Sequence, residues 1–376
     1  MLKSLKIENF RCFQSFELQQ LGRVNLLVGT NNSGKTSILE AIQLLCSRNN
    51  LEPLAESIDR RGEYFWGDGK SAFDTRSEFD VSHLFYGHQI EADSRFSITG
   101  IRENLQETCL ASVVESLINS DDKQSYKYDK RRNWDDELEG LGNLSLIFQW
   151  ILNQSEEPSI RIPLSLDNGL PKNFLRHFSG ASDKEVSRNQ FITSSSLSVE
   201  RMTELFDQVV LTPEEELVYE ALQTIEPNIE RIASVGSKKY RNAERGGFVV
   251  RLANDHQRVP IGSMGDGIWR MLGLTLAIVN TKGGILLADE IDTGLHFSVM
   301  SDMWRLIWET AKRLDVQVFA TTHNSDCWTS LAAIANSDNE AEGGITIQRI
   351  EREKLASIIF NERQIVIAAE RGIEVR

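Results

Sequence analysis

Cysteine is scarce, and nowhere does a C-x-x-C pair occur. The four present (Cys12, Cys46, Cys109 and Cys327) are scattered through 376 residues. That spacing excludes a disulfide framework and a zinc knuckle and fits reduced structural thiols. Long apolar runs are also missing, so no segment reads as a membrane-spanning helix. The opening Met1-Leu2-Lys3-Ser4-Leu5-Lys6 alternates charge with apolar side chains and does not read as a signal peptide, which predicts a cytoplasmic protein. Positive charge is in deficit. Against 55 acidic residues stand 41 Lys and Arg, a net charge of −14, and this balance weighs against a general nucleic-acid binder. Two local basic clusters run the other way: Lys127, Lys130, Arg131 and Arg132, and Lys238, Lys239, Arg241 and Arg245. Each reads first as a solvated loop.

What is present is a soluble globular composition, 40% apolar and 26% charged, in a chain long enough for one large or two ordinary domains. Residues 29–37 read GTNNSGKTS, between the apolar run Val24–Val28 and a helical run from Ile38 to about Cys46. This is G-x-x-x-x-G-K-[ST] in the strand-to-helix setting that a phosphate-binding loop requires. Gly29 and Gly34 allow a backbone that L side chains avoid, so amides can approach phosphate oxygens. Asn31, Asn32, Ser33, Gly34, Lys35, Thr36 and Ser37 are the predicted nucleotide-binding residues. Their amides face an anion at a helix N-terminus, Lys35 brings a point charge to the β- and γ-phosphates, and Thr36 offers a hydroxyl to Mg²⁺.

The periodicity predicts strands at Leu5–Phe10, Phe16–Leu18 and Phe96–Gly100, and a polar irregular stretch over 47–80. Leu105 to Ile118 and Leu138 to Leu152 read as helices of an inserted arm, with no heptad repeat that would make a coiled coil. Thr212-Pro213-Glu214-Glu215 reads as a helix start, capped by Thr212 with Glu215 reaching back. Further on, Ile285–Ala288 and Val316–Thr321 are short apolar runs separated by a helix, Val299 to Leu314. Strand, helix, strand with fully apolar strands predicts an α/β fold around a parallel sheet.

Four more motifs follow. Gly284-Ile285-Leu286-Leu287-Ala288-Asp289-Glu290 is a buried strand delivering two carboxylates at its C-terminal end. Asp289 can hold Mg²⁺, and Glu290 can orient and deprotonate a water. Ser263-Met264-Gly265-Asp266-Gly267, ending 22 residues before Asp289, is a second phosphate-facing helix start. Two such surfaces reach one phosphate most easily from two facing chains. Thr321-Thr322-His323 ends the next strand, and His323 can contact a γ-phosphate and its attacking water. Asp292-Thr293-Gly294-Leu295-His296 reads as a turn at an interface between two heads, with His296 either there or merely packing at a helix start.

In that order the motifs resemble ABC-class ATPase heads, and within them the AAA-family ATPases of the overcoming-lysogenisation-defect (OLD) type, relatives of RecF and the SMC proteins. Ile7–Phe13 resembles the family's opening strand, Asp289–His296 its Walker B and following turn, and Phe319–Ser325 its switch strand. The resemblance covers about residues 1–46 and 191–376 and implies a P-loop NTPase fold with a mixed sheet. The implied division is a first head lobe (1–100), an inserted mainly helical arm (101–190) and a second head lobe (191–376). It also implies ATP and Mg²⁺ as ligands, Lys35, Glu290 and His323 as catalytic residues, and Thr36 and Asp289 as metal ligands. Arg11 would lie near the nucleotide, and Ser263 with Gly265 would clamp the γ-phosphate of an opposed subunit in a homodimer. The chain departs from the family in reading SMGDG where LSGGQ is usual, and its Q-loop glutamine is not evident, Gln89 being the nearest candidate. About fifty residues follow His323 without a Glu and D-x-D arrangement, so the expectation is a head that acts with a separately encoded effector, perhaps a nuclease, in defence or DNA maintenance. Two other readings stand beside it: a nucleotide-gated scaffold or sensor with little turnover, disfavoured by Glu290, and a RecF-like DNA-binding ATPase, disfavoured by the net charge.

Overall fold

The computed structural model describes all residues except 49, 66–77, 104, 116–140, 172–188, 236–246, 254–256 and 338–343. Both basic clusters, Lys127 to Arg132 and Lys238 to Arg245, lie outside the described residues. The strands used below are, in chain order, β1 (Ser4–Phe10), β2 (Phe13–Leu18), β3 (Val24–Val28), β4 (Arg95–Arg102), β5 (Leu105–Glu115), β6 (Leu141–Leu152), β7 (Ile160–Ser165), β8 (Asn189–Ile192), β9 (Ile285–Ala288), β10 (Gln317–Thr321), β11 (Ile345–Arg349) and β12 (Ile358–Asn361). The helices are α1 (Lys35–Ser47), α2 (Glu52–Arg61), α3 (Val199–Val209), α4 (Glu215–Gln223), α5 (Asp266–Val279), α6 (Phe297–Leu314), α7 (Ser325–Ser337) and α8 (Glu362–Glu370).

Contacts gather the chain into two units, one of Met1–Leu2, Leu18–Leu39 and Ser187–Arg376, the other of Lys3–Glu17 and Glu40–Val186. The expected division at 100 and 190 is therefore not the one contacts draw, because the first hundred residues are shared between both units.

The first unit is a six-stranded sheet in the order β8-β9-β10-β3-β11-β12. All neighbours are parallel except the last pair, β11 and β12. Every residue of β3, β9 and β10 is buried, which is what strands covered on both faces require. α5 supplies much of that cover, since each residue from Ile268 to Val279 is buried. α6 shows the other helical pattern. Met300, Met303, Trp304, Ile307, Trp308, Ala311 and Leu314 recur at helical spacing and are buried, while the opposite face is polar. α6 starts where His296 caps it and stops where Asp315 takes a left-handed conformation, φ 53°. α4 begins later than the sequence suggests. Glu215 does reach back, but to the Leu211 amide at 2.7 Å, and the Thr212 hydroxyl donates to the Val209 carbonyl instead of capping.

The second unit corrects the expectation of a helical arm. Residues 105–115 and 141–152 are strands β5 and β6, in an antiparallel sheet ordered β2-β1-β4-β5-β6, with β7 also paired to β6. On β5 the buried positions are Glu107, Cys109, Ala111 and Val113, a strict alternation masked in the sequence by an acid and two small residues. On β6 Leu146, Phe148 and Trp150 point inward between Ile147, Gln149 and Ile151, and the apolar outer face hides the period of two. The stretch 47–80, expected to be irregular, contains α2, which carries Pro53 in its first turn and ends on left-handed Gly62.

Arg11 belongs to this unit and is 4% exposed. Its guanidinium lies 2.7 Å from Glu40 and 2.6 Å from Glu63 and donates to the Ser57 hydroxyl at 3.1 Å. Arg61 shares Glu40, at 2.8 Å. Arg11 thus joins the buried Glu40 and the partly buried Glu63 in an ion-pair network inside its own unit. Arg11→Ala leaves Glu63 unpaired and Glu40 with Arg61 alone. It is expected to lower stability by about 3 kcal/mol, read from the urea midpoint of the nucleotide-free protein; an unchanged midpoint would show that the network holds nothing together.

Candidate functional site

Parallel neighbours β9, β10 and β3 end on the same side of the first unit's sheet, so the segments after them meet there. Three sequence motifs occupy those ends. Residues 29–37 follow β3, Asp289 and Glu290 follow β9, and Thr322 and His323 follow β10.

The loop after β3 turns through Gly29 (φ 142°), Asn32 (φ 60°) and Gly34 (φ 99°) before α1 begins. At Gly29 glycine is required twice over, because a Cβ would also strike the Ile350 carbonyl oxygen. Asn31 and Asn32 are exposed, Ser33 and Ser37 are buried, and Gly34 and Thr36 are partly covered. Lys35 is buried, and its ammonium folds back on the loop, donating to the carbonyls of Gly29 at 2.9 Å and Thr30 at 2.8 Å and to Ser33 Oγ at 3.4 Å. Burial lowers its pKa to about 8, against the opposing pull of Asp289 and Glu290. An anion arriving at the loop would favour the charged ammonium and offset this burial cost.

The carboxylate of Asp289 joins the segments. Thr36 Oγ1 donates to it at 3.0 Å and Thr321 Oγ1 at 2.6 Å. The Thr321 hydroxyl also accepts the backbone N–H of Glu290, at 2.8 Å. One hydroxyl therefore fixes both the side chain of Asp289 and the backbone of its neighbour. Glu290 is left-handed, φ 45°, a conformation that costs a non-glycine residue about 1–2 kcal/mol. Its carboxylate accepts from the Thr293 hydroxyl at 3.3 Å and is partly exposed.

Arg270 of α5 holds this turn from below. It is 2% exposed, and its guanidinium donates to the backbone carbonyls of Thr193, Asp289 (3.0 Å), Glu290 (2.8 Å) and Ile291 (3.4 Å). Burial pulls its pKa down to about 10, with Asp292 the strongest opposing charge.

His323 is exposed. Burial of its ring and the charge of Lys35 lower its pKa, while Glu290, Asp289 and Asp292 act in the opposite direction. The balance favours the neutral imidazole, which can donate or accept. The carbonyl of His323 accepts from Arg376, and the preceding Thr322 hydroxyl donates to Asp292 at 2.7 Å.

Ser263 and Gly265 form an exposed surface of their own. Ser263 Oγ donates to the Pro260 carbonyl at 2.7 Å, and beyond Gly265 (φ 98°) the space is open. The start of α5 lies against the turn after Glu290, since a Cβ on Gly267 would sit 3.2 Å from the Gly294 carbonyl oxygen. His296 serves as the α6 cap, with Nδ1 2.8 Å from Ser298 Oγ.

Arg270, Thr321 and Asp292 received no role from the sequence. Thr321 stood in view inside T-T-H, and an arginine within the apolar run GIWRMLGLTLAIV was the available signal for a buried cation.

Residues 24–326 match the family described as "AAA domain, putative AbiEii toxin, Type IV TA system". The chain belongs to this AAA-domain family. An "ATP/GTP phosphatase" of Helicobacter pylori is 21% identical over 347 residues, covering 87% of this chain and 86% of that protein. A "DNA replication and repair protein RecF" of Clostridioides difficile is 52% identical over 44 residues, 12% of each chain. Among solved structures, an SMC head bound to the C-winged helix domain of ScpA aligns over 96% of this chain and 97% of that one, at 12% identity and a TM-score of 0.43. No described helix of this AAA-domain protein is long and apolar enough to cross a membrane.

Arg270→Met should remove every side-chain donor from the carbonyls after β9. The expected cost is about 2–3 kcal/mol in chemical denaturation. A loss below about 0.5 kcal/mol, the range of an ordinary surface change, would mean that the turn holds itself.

Proposed function

We propose that the protein binds and hydrolyses ATP at the ends of β3, β9 and β10. The observation that carries this reading is the Thr36–Asp289 hydrogen bond, which joins a phosphate-binding loop to the acid of the neighbouring motif. The name of the Helicobacter pylori relative, which spans most of the chain, supports it.

In this reading the amides from Ser33 to Thr36 receive the phosphates, and Lys35 leaves the Gly29 and Thr30 carbonyls to pair with the β- and γ-phosphates. Thr36 and Asp289 are hard oxygen donors already side by side, and this fits a small hard cation that retains several waters. They would hold Mg²⁺, which supplies charge neutralisation on the phosphates. The Glu290 carboxylate, held by Thr293 and by its bonded backbone, orients a water and takes its proton as the γ-phosphate is attacked. His323 would contact the same phosphate and water. Positioning and electrostatics carry the reaction, as phosphoryl transfer requires.

The site is completed by a second copy. Ser263 and Gly265 are exposed at the start of α5 with open space before them, which supports a surface that receives another chain's γ-phosphate. Two heads would close around two ATP molecules and loosen on hydrolysis. The order of motifs supports an OLD-type head working as an ATP-driven switch, in defence against foreign DNA or in DNA maintenance, together with an effector.

Glu290→Gln keeps shape and removes the base, so ATP affinity should persist while phosphate release falls about 10²–10⁴-fold. Release at the normal rate would refute the role of Glu290. The composite site has its own test. Ser263→Arg and Lys35→Ala proteins should each be inactive, and mixing them should restore activity, up to about half if the two sites act independently. Full turnover by Ser263→Arg as a monomer would show that one chain contains the whole site.

A further inference from the structure

Two of the six histidines of the chain face each other and take no part in the site above. His83 Nδ1 and His88 Nδ1 are 3.1 Å apart, with the rings inclined at 62°. His83 lies in a short 3₁₀ turn, Val81–Leu84, whose start is capped by the Asp80 carboxylate accepting from the Ser82 amide at 3.0 Å. Gly87 (φ 87°) and His88 (φ 58°) then take consecutive left-handed conformations. That reversal carries the His88 ring back to a residue five positions earlier. The other oxygen of Asp80 stands 3.4 Å from His83 Nε2. Both rings reach solvent.

We propose that His83 and His88 bind a borderline divalent transition metal (Zn²⁺, Ni²⁺ or Cu²⁺) through their Nδ1 atoms. Imidazole nitrogens about 2.0–2.1 Å from one tetrahedral ion are separated by about 3.3 Å, and square-planar neighbours by about 2.9 Å. The observed separation of 3.1 Å lies between the two, so a small ring rotation admits the ion. In the metal-bound form both neutral rings carry their proton on Nε2, and that of His83 is donated to Asp80. A carboxylate on the remote nitrogen fixes the tautomer and raises the basicity of the ligand. Among the described residues no group of three or more His, Cys, Asp or Glu side chains forms a metal cage. Water therefore fills the remaining positions, and the site is an open one that favours nitrogen-seeking ions over Mg²⁺.

The ion would act as a staple on a loop that braces the opening strand. Within this loop the Leu84 carbonyl accepts from the Arg11 amide, and the Tyr86 amide donates to the Asn9 carbonyl, both at 2.9 Å. Residues on each side of that pairing are the two histidines. Metal occupancy would tie down the backbone around Arg11, whose side chain anchors the buried ion pairs of this unit.

The test uses the full-length, tag-free chain without nucleotide and titrates Ni²⁺ by calorimetry. One saturable site of micromolar affinity is expected. It should be lost in a His83→Asn, His88→Asn double variant and weakened about tenfold in Asp80→Asn, with metal-free melting unchanged in both. The Cu²⁺-loaded native chain gives a second readout that needs no variant: its electron paramagnetic resonance spectrum should show hyperfine splitting from two nitrogens. The proposal is overturned if no saturable binding occurs below millimolar Ni²⁺, if the double variant binds as the native chain does, or if the bound copper sees fewer than two nitrogens.

Discussion

Everything proposed for the catalytic end of the sheet depends on one carboxylate and the two hydroxyls that bind it. Asp289 stands at the end of a four-residue strand with no side-chain freedom to spare. Thr36 reaches it from α1 and Thr321 from β10, at 3.0 and 2.6 Å. Each hydroxyl comes from a different strand–loop system, so the three bonds made by Asp289 and Thr321 fix the relative positions of the phosphate loop, the acid pair and the histidine strand. The strand order β9-β10-β3 makes this possible, because it sets Thr321 between the other two. Without that order the same motifs would be too far apart to share a ligand.

Three buried or nearly buried cations manage the charge of the chain in three ways. Arg11 meets carboxylates and forms an ion-pair network. Arg270 meets backbone carbonyls and uses them to hold the turn that presents Glu290. Lys35 meets only its own loop, and desolvation brings its pKa down to about 8. The first two have lasting partners that no ligand need replace. Burial disfavours the charge of Lys35 as it does that of Arg270, but Lys35 lies in the phosphate-binding loop, where a bound polyanion would offset that cost. The strained backbone of Glu290 belongs to the same pattern, since left-handed non-glycine residues persist where the surrounding bonds over-determine them.

The first unit was largely legible in the sequence. Its central strands β3, β9 and β10 are short, mostly apolar and bounded by turn residues, and few other structures accommodate such runs beside a P-loop, whereas the edge strand β8 opens with Asn189 and Gln190 and carries no such signature. The second unit was misread over β5 and β6 for a definable reason. The inward residues of β5 include Glu107 and Ala111, so hydrophobicity does not alternate although burial does, and Glu107 is tolerable only because Arg48 and Arg102, distant in sequence, approach it. In β6 both faces are apolar, and periodicity then fails to separate strand from helix. At the candidate site, the residues whose side chains meet phosphates or metals in such loops could be named from spacing. Arg270 and Thr321 could not, because their partners are mostly backbone atoms and a carboxylate brought close only by the strand order. The ion pairs of Arg11 with Glu40 and Glu63 were not legible either, because those carboxylates lie 29 and 52 residues further along the chain.

The central claim is that Thr36 and Asp289 together form the metal-dependent part of an ATP site. The most direct measurement is the affinity for ATP, by calorimetry, with Mg²⁺ present and with Mg²⁺ chelated, in the native chain and in Asp289→Asn. The amide keeps the size of the side chain but removes its charge. Mg²⁺ should tighten ATP binding to the native chain and leave Asp289→Asn unaffected, while metal-free binding is retained in both. An equal response to Mg²⁺ in the two proteins would contradict the assignment of Asp289 and, with it, the site assembled around that carboxylate.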